Sequence, residues 1–175
     1  MLLQSRSLLA ASIFLSSCGV STKQPRTSHV LNQEGASRTS PLMDKVLELT
    51  NQERQSAAKP CRPLIFHEKL NTAATAHTED MIDREYFAHE LPGDPSTRLD
   101  KRLERQNYRF LTAGENIAYG YPSPQAVMDG WLKSPGHRAK ILNCEYSEMG
   151  LAMVAKPLPT GRSNLYWTQI FARPR

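Results

Sequence analysis

From Pro41 onward the chain switches between two hydrophobic periods. Leu42, Val46 and Leu49, with Glu53 continuing the spacing, recur at helical intervals and predict a first helix from Leu42 to about Ala57, with Pro41 just inside its start. Lys59-Pro60-Cys61-Arg62-Pro63 ends it, and Leu64-Ile65-Phe66 is a short apolar run before a second helix from about Glu68 to Tyr86. On that helix Leu70, Ala73, Ala74, His77 and Met81 share one face, the expected core side. After a Pro- and Gly-containing loop over 91–96, a third helix is predicted from about Thr97 to Asn107, with Leu99, Leu103 and Phe110 marking its inner side. A turn through Gly114 and a short apolar stretch, Ile117 to Gly120, precede a fourth helix from Pro124 to about Lys133 and further helical turns over 137–143. Only the tail alternates with period two: Met149, Leu151, Met153, then Tyr166, Thr168, Ile170, two strands joined through 157–161. Helices first and clear strands last argue for an α+β fold, not a parallel doubly wound sheet.

The first forty residues follow neither period. Arg6 precedes a brief apolar run from Leu8 to Leu15, too short for a bilayer-spanning helix and of the kind that forms an export signal. Leu15-Ser16-Ser17-Cys18-Gly19 resembles a bacterial lipobox, which implies cleavage before Cys18 and acylation there; a free or disulfide-bonded Cys18 is the alternative. Several acyl chains on one residue would anchor it stably, at roughly 0.8 kcal/mol per buried methylene. Gly19 is not the Asp that retains such lipoproteins at an inner membrane, so outer-membrane sorting is favoured in a Gram-negative cell. The expected organisation is a signal peptide over 1–17, a flexible tether over 18–40, rich in Ser, Thr, Gln and Asn, and one domain over 41–175. His29 falls in the tether.

Composition narrows the class. The 175 residues are 39% hydrophobic and 22% charged, an ordinary globular balance. With Cys18 lipidated, Cys61 and Cys144 remain, and an oxidising compartment would let them pair; two buried free thiols are the alternative. The net charge is +5, and Arg98, Lys101, Arg102, Arg105 and Arg109 fall at spacings of three or four as a helical stripe, with Asp100 and Glu104 among them but off it. That stripe suits anionic lipid headgroups or an anionic envelope polymer, with a solvated helix face as the alternative. An export signal argues against nucleic acid as the partner.

Four segments in order, Tyr86-Phe87-Ala88-His89, Gly114-Glu115-Asn116-Ile117-Ala118, Trp131 through Arg138, and Tyr166 through Phe171, resemble the bacterial branch of the CAP (SCP-domain) superfamily. The resemblance implies a three-layer α-β-α sandwich with a cleft that in many eukaryotic members holds two His and two acidic residues. His89 matches the first His and Glu115 the Glu of the Gly-Glu-Asn segment. Tyr166 stands where the eukaryotic second His would be, no acid follows Trp131 at the family's spacing, and His137 comes instead, so the full tetrad is absent.

Two imidazoles and a carboxylate, His89, His137 and Glu115, are the candidate centre. They suit weak binding of zinc or another divalent ion, with Glu115 as a third ligand or as the base for a bound water, since a stable zinc site needs three or four protein ligands. A satisfied polar network lining the cleft is the structural alternative. Trp131, Tyr166 and Gln169 are expected at the cleft, with Trp131 and Trp167 as core or cleft wall and one of Thr168 and Gln169 pointing inward. His67 is expected near a helix cap and His77 as a hydrogen-bonded core residue. No His-Glu-x-x-His helix, Gly-x-Ser-x-Gly elbow or free thiol nucleophile is present under this reading. The sequence therefore favours a monomeric, non-enzymatic module binding a ligand, an envelope polymer or a protein partner, over a metal-dependent hydrolase.

Overall fold

The computed structural model describes residues 40–175; the expected signal peptide, the lipidation site Cys18 and nearly all of the tether lie outside the described residues. The order is α1 (Pro41–Ser56), β1 (Ile65–Phe66), α2 (Glu68–Asp83), a single 3₁₀ turn (Pro95–Thr97), α3 (Leu99–Arg105), β2 (Phe110–Tyr119), α4 (Pro124–Lys133), α5 (Pro135–Ile141), β3 (Glu148–Pro157) and β4 (Ser163–Pro174). The strands form one sheet in the order β1-β3-β4-β2, antiparallel except for the parallel β1–β3 pair. Among the described residues no helix is long and apolar enough to cross a membrane.

Strand alternation builds the layers. On β3 and β4, Met149, Leu151, Trp167 and Phe171 face one way, into a core shared with Val46 of α1, Val127, Met128 and Trp131 of α4, and Ile141 of α5. Ala152, Ile170 and Ala172 face the other way, against Leu70, Ala73 and Ala74 of α2 and Leu103 of α3. The sheet thus has helices on both faces, the α+β arrangement the patterns predict. Gly150 lets α2 lie directly on β3: a Cβ there would collide with the Leu70 backbone carbonyl.

Two local expectations change. The stretch expected as a turn plus four apolar residues is a continuous ten-residue strand, β2. Its polar centre, Glu115-Asn116, hides the period, because both side chains are buried by partners elsewhere in the chain. Phe110 opens this strand and does not close α3. At the start of α2 the expectation holds, with His67 Nδ1 accepting from the Lys69 amide at 3.2 Å, while α5 begins at Pro135, two residues before the expected helical turns.

Cys61 and Cys144 form a disulfide across 83 positions. Beside it the guanidinium of Arg54, fully buried, donates to four backbone carbonyls: Ile141 and Asn143 at 2.8 Å, Tyr146 at 3.0 Å and Arg62 at 3.0 Å. Its charge faces the C-terminal carbonyls of α5, where a cation is favoured. Burial lowers the Arg54 pKa from its ordinary value. The disulfide and Arg54 together tie α1 and the loop after it to the end of α5.

Replacing Arg54 with Leu strands those carbonyls at about 1–3 kcal/mol each before water relieves some of them. The expected result in urea unfolding is a loss of at least ~3 kcal/mol, with a smaller loss for Arg54→Lys.

Candidate functional site

Glu115 sits on the face of β2 turned toward α2 and α3, and it is buried. A carboxylate removed from water needs compensating partners. Arg102 of α3 donates to Oε2 at 2.7 Å and is itself buried. His89, on the loop after α2, places Nδ1 2.9 Å from Oε1. Arg102 also donates to the carbonyls of Thr97 (2.8 Å) and His89 (3.2 Å), so one guanidinium positions both the carboxylate and the loop carrying the imidazole. Burial pushes the Glu115 pKa upward, but the His89 hydrogen bond and the Arg102 charge outweigh it, and the net shift is downward. Glu115 is therefore an ionised acceptor at neutral pH. The His89 proton must then sit on Nδ1, which leaves Nε2 of the neutral ring with its lone pair on the half-exposed side of the residue.

His77 completes the cluster from α2. It is buried as expected; Glu115 Oε1 lies 3.7 Å from Nε2, and the Ala88 backbone is its hydrogen-bonding neighbour. Burial, opposed by the Glu115 charge and assisted by Arg102, pushes its pKa down to about 4. His77 is thus the core histidine expected, a neutral imidazole held beside the Glu115 carboxylate and the Ala88 backbone.

Two hollows run along the outer edge of β2. One, of 590 Å³, is lined by His89, Glu115, Phe110, Arg98, Asp100 and Lys140. The other, of 310 Å³, is lined by Phe87, Tyr119, Tyr121, Trp131, Ser134 and His137. The two candidate imidazoles thus line neighbouring hollows on one strand. Burial first, and the Lys140 charge next, hold the His137 pKa below its ordinary value. Asn116 donates to the His137 carbonyl at 3.3 Å, linking α5 to β2. Gly114 serves close approach, since a Cβ there would meet the Tyr146 hydroxyl.

Other expected cleft residues divide. Trp131 is buried and lines the second hollow, its Nε1 donating to the Ile117 carbonyl at 3.3 Å. Tyr166 stacks on Tyr119 with ring centroids 5.5 Å apart, and Phe87 meets Tyr119 edge-on at 4.7 Å. Phe87 and Tyr119 are exposed. Gln169 is corrected: it is fully buried on the other face of the sheet, bonded to Thr50 Oγ1 at 3.0 Å and to Asn116 at 3.2 Å, so it cannot line a solvent-reached cleft. Thr168 is equally buried and meets the Thr78 hydroxyl at 2.7 Å.

One member of the basic stripe is corrected. Arg102 faces inward to Glu115 and cannot meet a headgroup. Of the rest, Arg98 pairs with Asp100 at 3.1 Å, Lys101 with Glu104 at 2.8 Å, and Arg105 donates to the Ser96 carbonyl at 2.7 Å. Arg109 lies beyond the end of α3, in the turn before β2. Sequence reasoning missed the role of Arg102, although a signal existed: it falls three residues after Leu99 and next to Leu103, on the inward face of its helix. The roles of Phe87 and Tyr119 carried no such signal.

The family described as CAP, the cysteine-rich secretory protein family, matches residues 47–171. Among curated relatives, "Uncharacterized protein YkwD" of Bacillus subtilis (strain 168) is 36% identical over 154 residues, 86% of this chain and 55% of that protein. "Uncharacterized membrane protein YlbC" of the same organism is 35% identical over 131 residues, 74% of this chain and 34% of that protein. The chain therefore spans about half the length of the first and a third of the second. Among solved structures, an extracellular protein containing an SCP domain from Bacillus anthracis str. Ames aligns with a TM-score of 0.64 at 28% identity, over 79% of this chain and 45% of that one. An outer surface protein from Borrelia burgdorferi has the same TM-score at 17% identity, covering 79% of this chain and 96% of that one, a likeness of fold alone.

Two outcomes follow from the charges. Arg102→Leu leaves a buried carboxylate without its cation and is expected to cost about 3–5 kcal/mol in denaturant unfolding. The His77 pKa is depressed in the folded state, so its contribution is complete above the unfolded value near 6.5 and is lost as pH falls toward 4. Unfolding free energy should drop by up to roughly 3 kcal/mol across that window. In His77→Gln that slope should flatten; an unchanged slope assigns it to another group.

Proposed function

The chain belongs to the CAP, or cysteine-rich secretory protein, family, and on that premise we propose that it is an exported, lipid-anchored envelope module that binds its ligand along the outer edge of β2 without chemically transforming it. Export is supported by the signal-like run ending at Cys18 and by the Cys61–Cys144 disulfide, which suits an oxidising compartment. The likeness to a Bacillus anthracis protein described as extracellular points the same way. The observation that carries the non-enzymatic reading is the state of Glu115. Both of its oxygens are engaged, one by His89 and one by Arg102, and its pKa is held down, so it is a weak base for activating water. This supports binding over a metal-dependent hydrolase that would use Glu115 as its base.

The donor set fits only weak metal binding. Among the described residues no group of three or more His, Cys, Asp and Glu side chains is arranged to hold an ion. With Glu115 occupied, His89 Nε2 and His137 would be the protein ligands of a divalent ion, and such an ion would serve as a Lewis acid toward a ligand oxygen. Glu115 would act behind it, fixing the His89 tautomer and ring plane.

Zinc titrated into the protein by calorimetry should bind no tighter than about 10 μM, and binding should vanish in the His89→Ala, His137→Ala double variant; a tight, stoichiometric site would overturn this reading. Cys18→Ala should move the protein from the detergent phase to the aqueous phase in Triton X-114 partitioning of expressing cells. Retention in the detergent phase would remove the lipid anchor.

A further inference from the structure

Exposed apolar side chains gather at one end of the sheet. Phe87, Tyr119 and Leu158 are 42%, 50% and 38% exposed. Phe87 meets Tyr119 edge-on, and Tyr166 stacks on Tyr119. Tyr119 is the last residue of β2, Tyr166 lies opposite it near the start of β4, and Leu158 follows the last residue of β3. Tyr121 joins them: it lines the second hollow with Phe87 and Tyr119, and a third hollow, of 650 Å³, with Leu158 and Leu165. The apolar surface is therefore continuous across the ends of three strands. Contiguous exposed apolar surface of this kind marks a contact with a partner or a membrane.

The chemistry of this end suits a membrane interface. Tyrosine has an apolar body and a polar tip, and it is favoured where one side is hydrocarbon and the other is wet. Arg162, exposed between β3 and β4, enters no side-chain hydrogen bond or ion pair among the described residues. A free guanidinium beside apolar side chains can reach lipid phosphates. Lys156 and Glu85 nearby pair at 3.6 Å and add no net charge.

Where the chain enters the domain selects the occupant. Near the C-terminal end of α1, Arg54 bonds the Tyr146 carbonyl, just before β3 begins. One turn earlier, Thr50 Oγ1 accepts from Gln169, which pairs with Leu151, farther along β3. Going back along α1 therefore advances toward the far end of β3, where the exposed side chains lie. From Thr50 back to Pro41 is about 13 Å of helix. About the same length of strand leads from Gln169 to Leu165, on the wall of the third hollow. The polypeptide thus enters the domain at its apolar end. Cys18, the proposed site of lipidation, lies 22 positions before Ser40. A segment of that length spans at most about 80 Å, so an anchored domain is held at high local concentration beside the bilayer and a weak surface contact suffices.

We infer that the Phe87/Tyr119/Leu158 end of the domain rests on the bilayer, with these side chains at headgroup depth, so that the second hollow opens at the membrane surface. The proposed anchor alone leaves the domain free to tumble; this contact rests on that anchor and fixes the domain's orientation.

The test uses the full chain, recovered from the membranes of expressing cells and reconstituted into vesicles of phosphatidylethanolamine and phosphatidylglycerol, with or without bromine on the acyl chains just below the headgroup. Two variants carry an added reporter: Tyr119→Trp at the apolar end, and Leu111→Trp, exposed at the other end of the same strand. Trp131 and Trp167 are buried and common to both. Bromine should quench the added emission of Tyr119→Trp by about twofold or more and leave that of Leu111→Trp unchanged. Adding Phe87→Ser and Leu158→Ser should reduce the Tyr119→Trp quenching to the Leu111→Trp level, with the melting temperature checked in parallel. Equal quenching at the two positions, or none at either in vesicle-bound protein, overturns the docking face and leaves the anchor standing. If the protein does not float with vesicles, the anchor and the docking face both fall. If the Cys18→Ala protein sediments as a dimer that Phe87→Ser and Leu158→Ser dissociate, a second copy covers this end and the bilayer contact is overturned.

Discussion

A buried negative charge organises the centre of this molecule. Glu115 comes from the middle of β2, and its ionised form survives burial only because α3 delivers Arg102 to one oxygen and the loop after α2 delivers His89 to the other. Three elements distant in sequence are thereby held in one geometry. Arg102 extends the constraint outward by also binding the carbonyls of Thr97 and His89, so the loop bearing the exposed imidazole is fixed by the same cation that neutralises the acid. An imidazole that presents a defined nitrogen to solvent is the consequence. The same arrangement engages both oxygens of the carboxylate, one with the imidazole and one with the guanidinium.

A second buried cation works on the opposite side of the sheet. Arg54 has no carboxylate partner among its contacts; it is satisfied by backbone carbonyls at the end of α5 and around the disulfide. This clamp sets where α5 lies, and α5 carries His137 and Lys140 to the two hollows. Asn116 then joins the clamp to the strand by donating to the His137 carbonyl and to Gln169, which itself reaches Thr50 on α1. Polar groups inside each layer therefore determine positions at the rim, while the apolar residues supply the driving force for the layers to form.

Between these two networks β2 is left as an edge strand with a helical layer above and below its free side. The two hollows lie on the same ten-residue strand, and the two imidazoles and the exposed aromatic rings line them.

By itself the sequence determined what depends on local period and local chemistry. Leu70, Ala73, Ala74 and Met81 mark the buried face of α2 because an amphipathic helix repeats every 3.6 residues, and the alternation of Met149 and Leu151 marks β3 for the same kind of reason. Pro135 and His67 mark helix starts through their own backbone and ring chemistry. His89, Glu115 and His137 could be named from their motifs. What only the tertiary structure decided are the roles set by charge pairing across distance. β2 was hidden because Glu115 and Asn116 break its apolar pattern, and their burial is made tolerable by Arg102, His89, His137 and Gln169 from four other segments. Arg102 read as surface charge because it sits in a run of basic residues on a short helix, where such residues are ordinarily solvated, and only the fold supplies the acid that draws it inward. Gln169 and Thr168 alternate on their strand as any two neighbours must, but which face was core and which was open depended on where α1 and α2 came to rest. A local pattern encodes the period of an element; the partner that justifies burying a charge is encoded nowhere near it.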